Sequence, residues 1–129
     1  MPTILYADDD REQLDFMRLM LESRNHRFLE AGDGQQAINK VHLLIPDVVV
    51  LDLLMPAIGG FDVLKAIKAD SMTRHIPVIV LSAWPTGDNR ERARQAGAVA
   101  FVPKPYQPKH LMQMIDRALQ FSNSLAVRP

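Results

Sequence analysis

Val48-Val49-Val50-Leu51-Asp52 is the stretch that decides the fold. A strand with one wet face alternates apolar and polar residues, whereas an unbroken β-branched run belongs to a strand covered on both faces. This run stops on a carboxylate. The same pattern returns in both directions: Ile4-Leu5-Tyr6-Ala7 opens onto Asp8 and Asp9, Val78-Ile79-Val80-Leu81 onto Ser82, and Val99-Ala100-Phe101-Val102 reaches Lys104 across Pro103. In an open parallel sheet, ligands bind outside the carboxyl ends of the strands. Three carboxylates, a hydroxyl and an ammonium then share one rim, a set suited to handling a phosphate.

Between the apolar runs lie helical patterns, and strict alternation argues for βα units on a parallel sheet. Strands are expected near 3–7, 27–31, 47–51, 77–81 and 99–102, with 27–31 the weakest and an edge. A first helix over about 10–23 places Leu14, Met17 and Leu21 on one stripe, with Asp9 and Glu12 at capping-box spacing and Asp10 in the first turn. A second follows Asp33, turns Ala37, Ile38 and Val41 inward and stops before Pro46. A third follows Gly59-Gly60 and buries Phe61, Leu64 and Ile67. A fourth, about 87–96, ends at Gly97, and a fifth after Pro108 presents Leu111, Met114, Ile115 and Ala118. Right-handed crossovers put helices on both faces of such a sheet. Residues 1–122 read as one domain and 123–129 as a tail or the start of a linker.

The chain of 129 residues is 47% apolar, enough for one core. Its 15 basic and 15 acidic residues cancel, so no basic field drives direct nucleic-acid binding. The absence of cysteine excludes disulfides and thiol chemistry. No apolar stretch approaches a membrane span, and the expectation is a soluble cytoplasmic domain.

Asp8, Asp9 and Asp52 crowded together repel one another, and a hard divalent cation relieves that repulsion. Magnesium takes one or two carboxylates and a phosphate oxygen and keeps several waters. The cluster therefore reads as a Mg²⁺ site, with Mn²⁺ as an alternative, and one carboxylate free to act as nucleophile. Taken singly, Asp9 is a helix N-cap and Asp52 a turn cap. Lys104 lies between Pro103 and Pro105, which stiffens its backbone; it is expected to pair with Asp52. The Lys104-Pro105 bond is a candidate cis peptide. Ser82 is a phosphate donor or a strand-end cap. His26, His42, His75 and His110 lack metal-ligand spacing and read as surface or helix-end residues.

Taken together, Ile4-Leu5-Tyr6-Ala7-Asp8-Asp9-Asp10, Val50-Leu51-Asp52-Leu53-Leu54-Met55-Pro56 with Gly60, Val80-Leu81-Ser82-Ala83, and Ala96-Gly97-Ala98 leading to Lys104-Pro105-Tyr106 resemble the receiver domain of two-component response regulators, of the chemotaxis-regulator kind. The resemblance covers nearly the whole chain. It implies a flavodoxin-like doubly wound five-stranded sheet of order 2-1-3-4-5 with five flanking helices. It implies that Asp52 is the phosphoacceptor, Asp9 a direct Mg²⁺ ligand, Asp8 one acting through water, and the Leu54 backbone carbonyl part of the metal shell. Ser82 matches the switch hydroxyl, Phe101 the switch aromatic and Lys104 the phosphate-binding lysine. The implied donor is phosphohistidine of a sensor histidine kinase or histidine phosphotransferase. The implied output surface is the fourth helix, fifth strand and fifth helix, acting on a protein effector or an attached output domain. The protein is expected as a monomer, or as a dimer formed on phosphorylation.

Four positions depart from the family. Gly59 stands where Asp is common, Phe101 lacks the usual phenol, and Leu54 and Trp84, with Pro85 beside the latter, are apolar or bulky where residues flank the phosphate. Leu54 and Trp84 are expected to exclude hydrolytic water and lengthen the life of a phospho-form. On the first helix, Phe16 and Leu19 point away from the Leu14 stripe; they either widen the apolar stripe, partly covered by loops, or dock a helical bundle of the kinase. Three other readings compete. A phosphorylation-independent docking module keeps the fold alone. An aspartate-nucleophile phosphatase usually carries a second Asp where Leu54 stands. A flavin-binding relative needs a Ser/Thr-rich loop after the first strand, which is missing.

Overall fold

The computed structural model describes residues 1–126. Five strands, β1 (Thr3–Ala7), β2 (Arg27–Ala31), β3 (Val48–Asp52), β4 (Val78–Ser82) and β5 (Ala100–Pro103), alternate with five helices, α1 (Arg11–Ser23), α2 (Gly34–Leu44), α3 (Gly60–Ala69), α4 (Gly87–Gln95) and α5 (Pro108–Ala126). The strands pair in parallel in the order β2-β1-β3-β4-β5, so β2 is an edge and β3 is central.

Alternation along each strand splits the core in two. Leu5, Ala7, Val49, Leu51, Val78 and Val80 meet α2, α3 and α4 on one face. Ile4, Tyr6, Val48, Val50, Ile79 and Leu81 meet α1 and α5 on the other. Every residue of β3 and β4 is buried, as their unbroken apolar runs require. The register pairs Ala7 with Leu51, Leu51 with Val80 and Ser82 with Pro103. The residues that follow these pairs therefore emerge side by side at the carboxyl rim.

Several local expectations need correction. Asp10, not Asp9, caps α1; its carboxylate accepts the Glu12 amide at 2.9 Å. The reason lies one step upstream, where the Asp8 carboxylate accepts the Asp10 amide at 3.0 Å and holds the chain extended for one more residue. Phe61 is only half-buried on α3, and Val63 takes the inward place. Met114 is half-buried on α5, where Met112 and Leu119 join the core. His26 is buried rather than superficial: a left-handed Asn25 (φ 62°) turns the chain and the His26 amide donates to the Leu21 carbonyl near the end of α1. The backbone of α5 continues to Ala126, into the segment read as a tail, while 127–129 lie outside the described residues.

Two glycines are demanded by close approach. A Cβ on Gly60 would lie 2.6 Å from the Asp52 carbonyl oxygen, and one on Gly34 would lie 2.3 Å from that of Ile58. The first contact seats the start of α3 against the end of β3, directly behind Asp52. Gly59 has room for a side chain, so its lack of one costs α3 a side-chain cap without any conformational need. Among the described residues, no helix is long and apolar enough to cross a membrane.

Candidate functional site

The strand register delivers the expected cluster. Carboxylate oxygens of Asp8, Asp9 and Asp52 lie within 4.8 Å of one another. Asp8 follows β1 and is 1% exposed, Asp52 ends β3 and is 6% exposed, and Asp9 opens to solvent. All donors are hard oxygens, and the exposed member gives a cation a way in, so the set fits a divalent metal of the magnesium type.

Lys104 leaves β5 and reaches across the rim. Its Nζ lies 3.2 Å from Asp52 Oδ2 and 3.3 Å from Asp8 Oδ2, bridging both buried acids rather than Asp52 alone. The Lys104-Pro105 peptide is cis, and the Lys104 amide donates to the Ser82 carbonyl at 2.7 Å. The stem of the lysine is thus tied to β4 before its ammonium meets the acids.

Burial pushes the Asp52 carboxyl above its ordinary value; Lys104 opposes the shift and the Asp8 charge adds to it. One oxygen, Oδ1, also accepts the Leu54 amide at 3.2 Å. Ser82 is buried at the end of β4, and its Oγ accepts the Trp84 amide at 3.0 Å. The cap reading of Ser82 therefore holds in this state, and its own proton stays available to a further acceptor. Leu54 is 53% and Trp84 65% exposed, both beside the rim. Phe101 is half-buried on β5 with the Arg90 guanidinium of α4 at 4.9 Å from its ring centroid.

Two tyrosines escaped the sequence reading. The phenol of buried Tyr6 donates to Asp8 Oδ2. Period-two alternation was the available signal, since residues 6 and 8 face the same side of one strand. Burial first, then the bond to Asp8, hold the Tyr6 phenol far above its usual range, so it stays a donor. The Tyr106 phenol is pushed up to about 12 by burial and by the Asp8 charge. Its hydroxyl is buried and meets no hydrogen-bond partner among the described residues.

Phe16 and Leu19 are exposed on α1, as expected, and are not part of the acid cluster. Phe16 does line a groove of about 410 Å³ with Ala83, Lys104, Pro105 and Tyr106, which connects α1 to the base of the lysine.

These features define a doubly wound α/β domain with an acidic, lysine-bridged pocket at the carboxyl rim of its sheet. Residues 4–116 match the family described as the response regulator receiver domain, and the chain belongs to that family. It is a receiver domain of two-component signalling, a signalling module rather than a conventional enzyme. The phosphate regulon transcriptional regulatory protein PhoB of Escherichia coli is 32% identical over 124 residues, covering 96% of this chain and 54% of PhoB. The chain spans about half the length of the curated relatives it matches. A receiver domain of Clostridium thermocellum superposes with a TM-score of 0.90 at 28% identity, covering 97% of this chain and 99% of that one. The receiver domain of sensor histidine kinase PA1611 from Pseudomonas aeruginosa, solved with magnesium coordinated in its active-site cleft, superposes with a TM-score of 0.85 at 26% identity, over 92% of this chain and 98% of that one.

Proposed function

We propose that this domain accepts a phosphoryl group on Asp52 from phosphohistidine of a sensor histidine kinase or histidine phosphotransferase. The observation that carries the reading is the Lys104 bridge between two buried acids beside an exposed third. Asp52 Oδ attacks phosphorus, the P–N bond to imidazole breaks, and the new O–P bond leaves an acyl phosphate. Such transfer depends on positioning and charge stabilisation more than on covalent help from the protein. Gly60 against the Asp52 carbonyl and the Leu54 amide on Oδ1 fix the nucleophile. Lys104 Nζ, already at Oδ2, is placed to follow the incoming phosphoryl oxygens. Asp9 and Asp52, with Asp8 through water and the Leu54 carbonyl, would hold Mg²⁺, which when bound supplies positive charge against those oxygens.

The phosphoryl group adds negative charge and strong acceptors. Ser82 donates its hydroxyl to them, Phe101 turns into the vacated space, and the α4-β5-α5 surface changes its packing. Phosphate shifts this equilibrium by binding one packing better than the other. The output is a protein effector or an attached domain, and the working compartment is the cytoplasm. Phe16 and Leu19 receive the kinase bundle, with Phe16 at one end of the groove that leads to Lys104.

Intact-mass measurement after acetyl phosphate and Mg²⁺ tests the reading. A phosphoryl adduct on the wild type, absent from Asp52→Asn and from wild type in chelator, is expected. No adduct on the wild type would leave the phosphorylation-independent docking module as the better reading.

A further inference from the structure

In the Asp8 carboxylate, both lone pairs of Oδ2 are occupied from behind, and one on Oδ1. Its Oδ1 accepts the Asp10 amide at 3.0 Å, and its Oδ2 accepts the Tyr6 phenol with Lys104 Nζ at 3.3 Å. Tyr6 cannot withdraw cheaply. Its ring packs in the core between β1, α1 and α5, it is fully buried, and Asp8 is the acceptor its hydroxyl meets among the described residues. Turning Asp8 Oδ2 toward a cation would strand a phenol in an apolar core.

We infer that Tyr6 is a positioning residue that sets cation selectivity: by holding Asp8 Oδ2, it keeps Asp8 out of direct coordination and limits the site to the direct carboxylates Asp9 and Asp52. This inference rests on the cation site proposed above. Two direct carboxylates suit Mg²⁺, which keeps its waters and demands octahedral geometry. Ca²⁺ takes six to eight oxygens in flexible arrangements and gains from a third carboxylate. Without the phenol, Asp8 regains a free lone pair within reach of the other two acids. Ca²⁺ then gains a ligand that Mg²⁺ cannot easily use.

The test is titration of the metal-free protein with MgCl₂ and, separately, CaCl₂, followed by backbone amide chemical shifts at 8–10 and 52–54. In Tyr6→Phe, Ca²⁺ binding should tighten about tenfold while Mg²⁺ changes less than about threefold, the scale on which outer-shell partners act. Tyr6→Phe combined with Asp8→Asn should lose the Ca²⁺ gain. Tyr106→Phe, which removes a neighbouring buried hydroxyl without a bond to Asp8, should leave the ratio unchanged. An unaltered Ca²⁺/Mg²⁺ ratio in Tyr6→Phe, or equal weakening of both ions, overturns the assignment while leaving the cation site standing. A wild type with no saturable shift for either ion overturns the site and this assignment with it. Should Tyr6→Phe not fold, Asp8→Asn alone decides: an unchanged ratio supports an indirect Asp8, and a ratio moved toward Mg²⁺ refutes it.

Discussion

Asp52→Asn should make the metal-free protein more stable, although it deletes the proposed phosphoacceptor. The Lys104 contact at 3.2 Å is worth about 5 kcal/mol to the Asp52 charge at an effective dielectric of 20. Repulsion from buried Asp8 at up to 4.8 Å costs about 3.5 kcal/mol on the same scale. Repulsion from solvent-exposed Asp9 at a similar separation adds about 1 kcal/mol at the dielectric of water. Attraction and repulsion nearly cancel, so desolvation of a carboxylate that is 6% exposed decides the sign. This agrees with burial as the leading cause of the raised Asp52 value. Replacing the charge with an amide should relieve about 1–2 kcal/mol, which raises Tm by several degrees for a domain of this size. The pH dependence follows from the same sign. A carboxyl whose folded value is raised costs nothing below its unfolded value of about 3.9, and the cost sets in as pH rises through the folded value. The stability gap should therefore open with rising pH and then stay flat. Mg²⁺ should close it, since a cation bound only by the folded wild type stabilises that protein. Urea unfolding of both proteins in chelator from pH 4 to 8, then in Mg²⁺, checks this. Asp52→Asn no more stable than wild type at pH 7.5 in chelator would refute the reasoning, because desolvation would then not outweigh the Lys104 pair.

Three further outcomes are expected. Leu54→Asn combined with Trp84→Glu should shorten the phospho-form half-life by roughly tenfold, less than the roughly hundredfold or more of a fully positioned acid–base group, measured by loss of the phosphoryl adduct in intact-mass time courses. Phe16→Ala should slow transfer from a phosphorylated kinase by about tenfold, as loss of one aromatic anchor does, while phosphorylation by acetyl phosphate stays unchanged; an equal effect on both donors would point to the fold instead of docking. Ile45 caps α2 in the left-handed region at φ 45°, where a β-branched side chain is strained, so Ile45→Gly should stabilise the protein by about 0.5–1 kcal/mol in urea unfolding.

The sheet and the acid cluster were legible because both follow from where apolar runs stop. Val48 to Leu51 and Val78 to Leu81 leave no polar side for water, so those strands must be central, and period and register then bring Asp8, Asp52 and Ser82 to one rim. The strand order came from resemblance, since alternation alone permits several orders. What escaped depends on side chains meeting in space. Asp9 and Asp10 are both good caps, and only the Asp8 bond to the Asp10 amide decides between them. His26 read as a surface or helix-end residue, and only the Asn25 bend and the bond of its amide to Leu21 bury it. Tyr6 counted as one more apolar strand residue, and its hydroxyl matters because Asp8 sits two residues away at the strand end.

A chain of hydrogen bonds links Ser82 to the start of α4. Ser82 Oγ accepts the Trp84 amide, the Trp84 carbonyl accepts the Asn89 side chain and the Thr86 amide, and Thr86 caps α4 through the Asn89 amide. These bonds run from the end of β4 into the first turn of α4. In the proposed switch, displacement of the Ser82 hydroxyl toward a phosphoryl oxygen would deprive the Trp84 amide of its acceptor and loosen that turn. Arg90 lies on the same helix, over the Phe101 ring. Phe101 has no phenol to hold it by a hydrogen bond; it is half-buried against the core with the Arg90 guanidinium over its ring. Under the proposed switch, a group added at Asp52 would be coupled to Phe101 through the seating of α4, and the departure from Tyr at residue 101 would move control of the aromatic from a hydrogen bond to a cation over its ring.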